Sequence, residues 1–184
     1  MNNPTPQIFK ALVLLSALVL AGCATAAKPM NMAAIDNSVV TIASTAPGYE
    51  SVNVANVSGG SETNPLWTSE VSPTDFKLAL EYSLTRRGYY SSDSEAPLRL
   101  NAHLEDLRQP MIGASLTVTS RVRYELENQS GEIVDQETIT ARHTTRFSEH
   151  LYAVERLRLA NEGSIRENIS QYMEHMQERL AAMY

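Results

Sequence analysis

Leu116-Thr117-Val118-Thr119-Ser120-Arg121-Val122-Arg123-Tyr124-Glu125-Leu126 is the stretch that decides the fold. Its even positions are apolar except for the small Ser120, and its odd positions are Thr, Arg and Glu. Successive side chains of an extended chain point to opposite faces, so this run predicts a long strand with one buried and one solvated face. Such strands belong to antiparallel sheets covered on one side only.

The neighbouring segments extend the sheet. Leu98, Leu100, Ala102 and Leu104 alternate with Arg99, Asn101, His103 and Glu105. Asn128-Gln129-Ser130-Gly131 reads as a hairpin loop, with Gly131 supplying the positive φ of a bulged turn. Glu132 to Phe147 is the return strand, with Ile139, Ala141 and Phe147 on one side. Its pattern is less regular, as expected of a strand that bulges or lies at an edge. Further upstream, Ser38–Ala46 and Tyr49–Val57 are rich in β-branched residues and predict one or two more strands around the Pro47-Gly48 turn. Ser58 to Glu70, with Gly59-Gly60 and Pro65, reads as a loop.

Two helices are marked by periodicity and capping. Ser72 fits an N-cap, Pro73 the first helical position and Asp75 the capping-box place, with Val71 and Phe76 spaced as a staple. Phe76, Ala79, Leu80, Ser83 and Leu84 form one stripe. Arg86 and Arg87 suit the negative helix end, and Gly88 is the stop. A second, long helix is expected from about Glu149 to Ala182, with Leu157, Asn161, Ile165, Ile169, Tyr172, Met176 and Leu180 on one side. Arg158, Glu162 and Arg166 form a charge ladder at i,i+4, and Gly163 is a place where this helix bends or breaks. Arg156 to Gly163 mixes charged and apolar residues all round. That segment is either buried from two directions, with Asn161 needing an internal partner, or an interaction surface. The order of strands and helices predicts an α+β fold: a two-layer sandwich with a mostly antiparallel sheet of four or five strands and both helices on its apolar face.

Composition bounds the function. The chain has 184 residues, 43% of them hydrophobic, and a formal charge of -6. That size fits one domain, and the acidic balance argues against nucleic acid as a partner. The single cysteine excludes an internal disulfide and a cysteine-rich zinc site.

The cysteine lies in a distinctive place. Lys10 precedes Ala11–Leu20, an apolar run interrupted only by Ser16 and half the roughly 20 residues of a membrane span. The layout is that of a secretory signal. It ends in Leu20-Ala21-Gly22-Cys23, which resembles the lipobox of bacterial lipoproteins. The resemblance implies cleavage between Gly22 and Cys23, a diacylglycerol on the Cys23 thiol and acylation, as with palmitate, of its amino group. Several acyl chains anchor stably where one would be marginal. Ala24, in place of Asp, implies by the same resemblance the outer membrane, on its periplasmic face. Residues 1–22 are then signal, 23–37 the lipidated cysteine with a flexible tether spanning roughly 20 Å, and 38–184 the periplasmic domain.

Catalytic motifs are not found. His103, His143, His150 and His175 form no helical zinc pattern and read as solvated residues, so no metal or cofactor is expected. The sequence holds no GxSxG, no SxxK and no phosphate loop, and Glu105-Asp106 reads as solvated surface. The chain is therefore expected not to be an enzyme.

Two features suggest binding. Arg121 and Arg123 lie in one row of the polar sheet face with Thr117 and Thr119, and Arg99 and Arg142 lie beside it. They are either a face for an anionic ligand such as lipopolysaccharide or partners of Glu105, Glu125 and Glu137 across strands. Trp67 is either a partner anchor or a lid on the core beside Val71.

Lipobox, tether and element order together resemble small periplasmic lipoproteins, such as the lipopolysaccharide-assembly lipoprotein and the auxiliary lipoproteins of ABC-type lipid transporters. The likeness lies in element order, so no binding residues are carried over. It implies an accessory role in envelope assembly or lipid transport, through contact with another envelope protein.

Overall fold

The structure, a computed structural model, describes residues 25–35, 41–63, 69–110 and 112–183. Its elements are a one-turn helix α1 (Pro29–Met32), strand β1 (Val52–Gly59), helix α2 (Pro73–Arg87), strands β2 (Leu98–Arg108), β3 (Leu116–Asn128) and β4 (Ile133–Thr145), and helix α3 (Ala153–Met183). The strands form one sheet in the order β1-β2-β3-β4. Strands β2 to β4 are antiparallel, and β1 runs parallel to β2. The parallel pair follows from the connection: α2 carries the chain back, so that both strands start at one end.

The expected α+β sandwich is present. Leu98, Leu100, Ala102 and Leu104 of β2, with Leu116, Val118, Val122, Tyr124 and Leu126 of β3, are all buried. The core places β2 residues and Val122, Tyr124 and Leu126 against Phe76, Ala79, Leu80 and Leu84 of α2 and Ile165, Ile169, Tyr172 and Met176 of α3. Tyr124 stacks on Tyr172 at 3.9 Å between ring centres and donates its hydroxyl to Asn168 at 2.9 Å. The ends of α2 are as its sequence dictates. Ser72 Oγ accepts the Asp75 amide at 3.1 Å, and Gly88 takes φ 85° to close the helix. Gly131 likewise holds φ 79° in the β3–β4 turn.

The structure corrects the sequence reading at several places. No strand forms over residues 41–46, and 38–40 lie outside the described residues. Ile42 instead donates its amide to the Arg87 carbonyl at 3.1 Å, and the Thr41 hydroxyl donates to the Arg86 carbonyl at 2.9 Å. These groups serve the end of α2, whose last carbonyls have no partner within the helix. The upstream region gives one strand, and it runs on through Ser58 and Gly59, which were expected in a loop.

The tether is the second correction. From Thr25 to Ile35 the chain is docked on the domain, with Ala27, Met32, Ala33 and Ala34 buried. Ala34 donates its amide to Ser83 Oγ at 2.9 Å, while the Lys28 amide and Asn31 Nδ2 donate to the Glu162 carboxylate at 2.9 and 3.0 Å. One helical turn is too short to leave a hydrophobic period in the sequence.

Strand β4 ends at Thr145, so Phe147 leaves the sheet, is 51% exposed and sits beneath the Arg156 guanidinium. Helix α3 starts at Ala153, four residues later than expected, and runs through Gly163 without a break. Arg166 does not complete the ladder; it donates to the Asn31 carbonyl at 2.6 Å. Leu157 is half-buried, and Arg156 and Ala160 take the inward positions. The mixed segment is buried from two directions, by the sheet and by the docked N-terminal stretch. Asn161 finds its partner in the Ser69 carbonyl, to which Nδ2 donates at 2.7 Å.

Candidate functional site: the open face of the sheet

The face of the sheet opposite the helices is built by the alternation of β2 and β3. With the even positions of β3 buried, its odd positions, Thr117, Thr119, Arg121, Arg123 and Glu125, turn outward. The register brings His103 opposite Arg123 and Thr119 opposite Arg142. The four arginines expected on this face are therefore on neighbouring strands.

Most of them are already matched. Arg121 Nε lies 2.9 Å from the Glu105 carboxylate, and Arg123 Nε lies 3.5 Å from Glu105 and 3.7 Å from Glu125. Arg99 pairs at 3.0 Å with Glu127, which also accepts from Asn101 Nδ2 at 2.8 Å. Glu105 and Glu125 are partners expected from the sequence, whereas Glu127 was missed and Glu137 makes no such pair among the described residues. Arg142 is exposed and has no carboxylate partner among the described residues. An anion arriving at Arg99, Arg121 or Arg123 meets a guanidinium whose charge a carboxylate already offsets. These half-exposed pairs are individually weak, about 0–1 kcal/mol each.

An open hollow of about 290 Å³ lies beside this row, lined by Asn56, Ser58, Asn101, His103, Arg123 and Glu125. It sits at the irregularity between Val54 and Asn56, where β1 slips one residue against β2. Extending β1 through Ser58 brings its hydroxyl within 2.9 Å of His103 Nδ1. The pair is hidden in the sequence, because Ser58 precedes Gly59-Gly60 and has the local signal of a loop. A serine beside a histidine can in principle form a nucleophile, but that needs a third group to orient the ring. Among the described residues no carboxylate bonds the other nitrogen of His103. The hollow is lined by hydrogen-bonding groups and opens on the solvated face of the sheet.

The other histidines are scattered. His175 Nε2 and Arg179 Nε each lie 2.9 Å from the Asp135 carboxylate at the β4 edge. His143 is packed against Gly163, and burial, aided by Arg166, holds its pKa below the ordinary 6.5 against the opposing pull of Glu149 and Glu167. His150 packs at 5.7 Å from the Tyr152 ring. Among the described residues no group of three or more His, Cys, Asp and Glu is placed to hold a metal ion. Nor is any helix among them long and apolar enough to cross a membrane. Gly22, Cys23 and Trp67 lie outside the described residues.

No protein-family model and no curated protein matches the sequence. Solved structures do share its fold. A predicted lipoprotein of Caulobacter crescentus superposes with a TM-score of 0.53 at 14% identity, over 74% of this chain and 95% of that one. Protein XCC0632 of Xanthomonas campestris, of the DUF330 family, gives 0.54 at 10% identity, over 81% and 92%. Protein CT253 of Chlamydia trachomatis gives 0.51 at 8% identity, over 71% and 97%. The chain therefore has an α+β fold that a predicted bacterial lipoprotein also adopts.

Proposed function

We propose that this chain is a lipoprotein of the bacterial envelope, anchored at Cys23 to the periplasmic face of the outer membrane. In this reading it is not an enzyme. It serves as an accessory factor in envelope assembly or lipid transport, through contact with a larger envelope protein. The observation that carries the reading is a lipobox-like Leu20-Ala21-Gly22-Cys23 placed directly before a domain whose fold spans almost all of a predicted lipoprotein. Ala24 supports the outer membrane, and the element order supports the likeness to the lipopolysaccharide-assembly and lipid-transporter lipoproteins. The partner surface is the open sheet face or an edge strand, since an open sheet offers backbone groups at its edges.

The test is photo-crosslinking in intact cells from Thr117 on the sheet face and from position 67. A covalent adduct with a discrete envelope protein is expected. Adducts only with the chain itself, or none, would contradict the accessory role.

A second reading is favoured by Arg142, which lacks a carboxylate partner among the described residues. The face would then bind lipopolysaccharide or another anionic envelope polymer, with the paired arginines exchanging carboxylate for phosphate. Binding should weaken steeply with salt and fall on Arg121→Ala combined with Arg123→Ala. Unchanged binding would discard this reading.

A further inference from the structure

The large apolar side chains left in water are not evenly spread. The three most exposed among the described residues are Ile112 at 92%, Leu151 at 74% and Tyr152 at 71%. Ile112 lies in the β2–β3 connection, and Leu151 and Tyr152 lie in the β4–α3 connection, together with Phe147. Leu116 pairs with Thr145, so these two connections leave the sheet at the same end.

The N-terminal stretch reaches that same end. Thr25 Oγ1 donates to Glu155 at 3.3 Å in the first turn of α3, three residues after Tyr152. The Ala27 amide donates to the Glu70 carbonyl at 3.3 Å, and Gln109 at the end of β2 donates to the adjacent Ser69 carbonyl at 3.0 Å. Cys23 stands two positions before Thr25 in the sequence, and two residues of chain span at most about 7 Å. A lipid on Cys23 would emerge beside the exposed apolar cluster, with no room for a spacer.

We propose that this end of the domain is a membrane-contact surface, in which Ile112, Phe147, Leu151 and Tyr152 enter the headgroup–acyl boundary around the anchor. The inference rests on the reading that Cys23 carries the lipid, and it adds an orientation to that reading. The occupant is a lipid surface because of where the chain leaves the fold and because of the residue types. Phe and Tyr rings with Leu and Ile, flanked by the exposed Arg146, have the composition of interfacial anchors. The opposite end, with the polar Asn128–Gly131 turn, and the open sheet face are then held away from the bilayer.

The test uses the full chain purified with its anchor and reconstituted in phosphatidylethanolamine–phosphatidylglycerol vesicles. A photo-crosslinking amino acid replaces Leu151 in one sample. In a second it replaces Ile133, a half-exposed apolar residue at the far end of the sheet. Intact mass reads acylation of Cys23 and phospholipid adducts separately. Acylated protein should yield about tenfold more phospholipid adduct from position 151 than from position 133. Acylated protein with equal or no adducts would overturn the orientation and leave the anchor standing. Protein without acyl chains would overturn both. In cells, a protein adduct at position 151 in place of lipid would reassign this end to a protein partner.

Discussion

At the scale of single residues, Gly163 is fitted tightly against His143. A side chain on Gly163 would collide with the His143 ring near its attachment, where rotation gives no relief. Sequence reading took Gly163 for a helix breaker, because the partner that requires it lies on another element and leaves no trace in spacing. Alanine is the better helix former by about 1 kcal/mol. Forced overpacking costs about 1–3 kcal/mol. Gly163→Ala should therefore destabilise the fold in urea unfolding, and His143→Ala in the same chain should remove the penalty. An unchanged or higher midpoint for Gly163→Ala alone would contradict this packing.

His143 also gives a pH signature. Its pKa is lowered in the fold, chiefly by burial, so the folded state binds that proton less readily than the unfolded state. The resulting stability is complete above the unfolded value of 6.5 and is lost as pH falls from there through the folded value. Between about pH 7.5 and about pH 5 the unfolding midpoint should drop more in the native chain than in His143→Gln. Equal drops would show that His143 contributes no such linkage.

At the scale of elements, legibility followed locality. Strand β3 and helix α2 were readable because alternation, cap, staple and terminal glycine all lie within the element. The parallel partner β1 was readable only as far as Val57. Ser58 and Gly59 look like loop, and only the pairing with His103 and Leu104 makes them strand. The docked segment around α1 was not readable, since its hold on the domain comes from Glu162, more than a hundred residues away. That carboxylate is 1% exposed and accepts from the Lys28 amide, Asn31 and Arg158. Removing one partner of a buried charge pair costs about 3–5 kcal/mol. Glu162→Ala should approach that cost and release the N-terminal stretch. Hydrogen exchange provides the check: the Ala33 and Ala34 amides should be protected in the native chain and exchange much faster in Glu162→Ala. Unprotected amides in the native chain would restore the flexible tether.

At the scale of the whole molecule, the surface divides into an apolar end where the chain enters and a broad face of mutually compensated charge. The arginine row was legible in the sequence. Its pairing was only half legible, because register decides that Arg99 meets Glu127 and that Arg142 meets no carboxylate among the described residues. Under the proposed function, a lipid on Cys23, two positions before the docked Thr25, would account for this division by placing the apolar end against a bilayer. The most direct measurement is the mass and fragmentation of the N-terminal peptide of the protein isolated from bacterial envelopes. The account predicts a peptide beginning at Cys23 that carries a thioether diacylglycerol and an amide-linked acyl chain. An unmodified Cys23, whether internal to the chain or removed from it, would contradict the account.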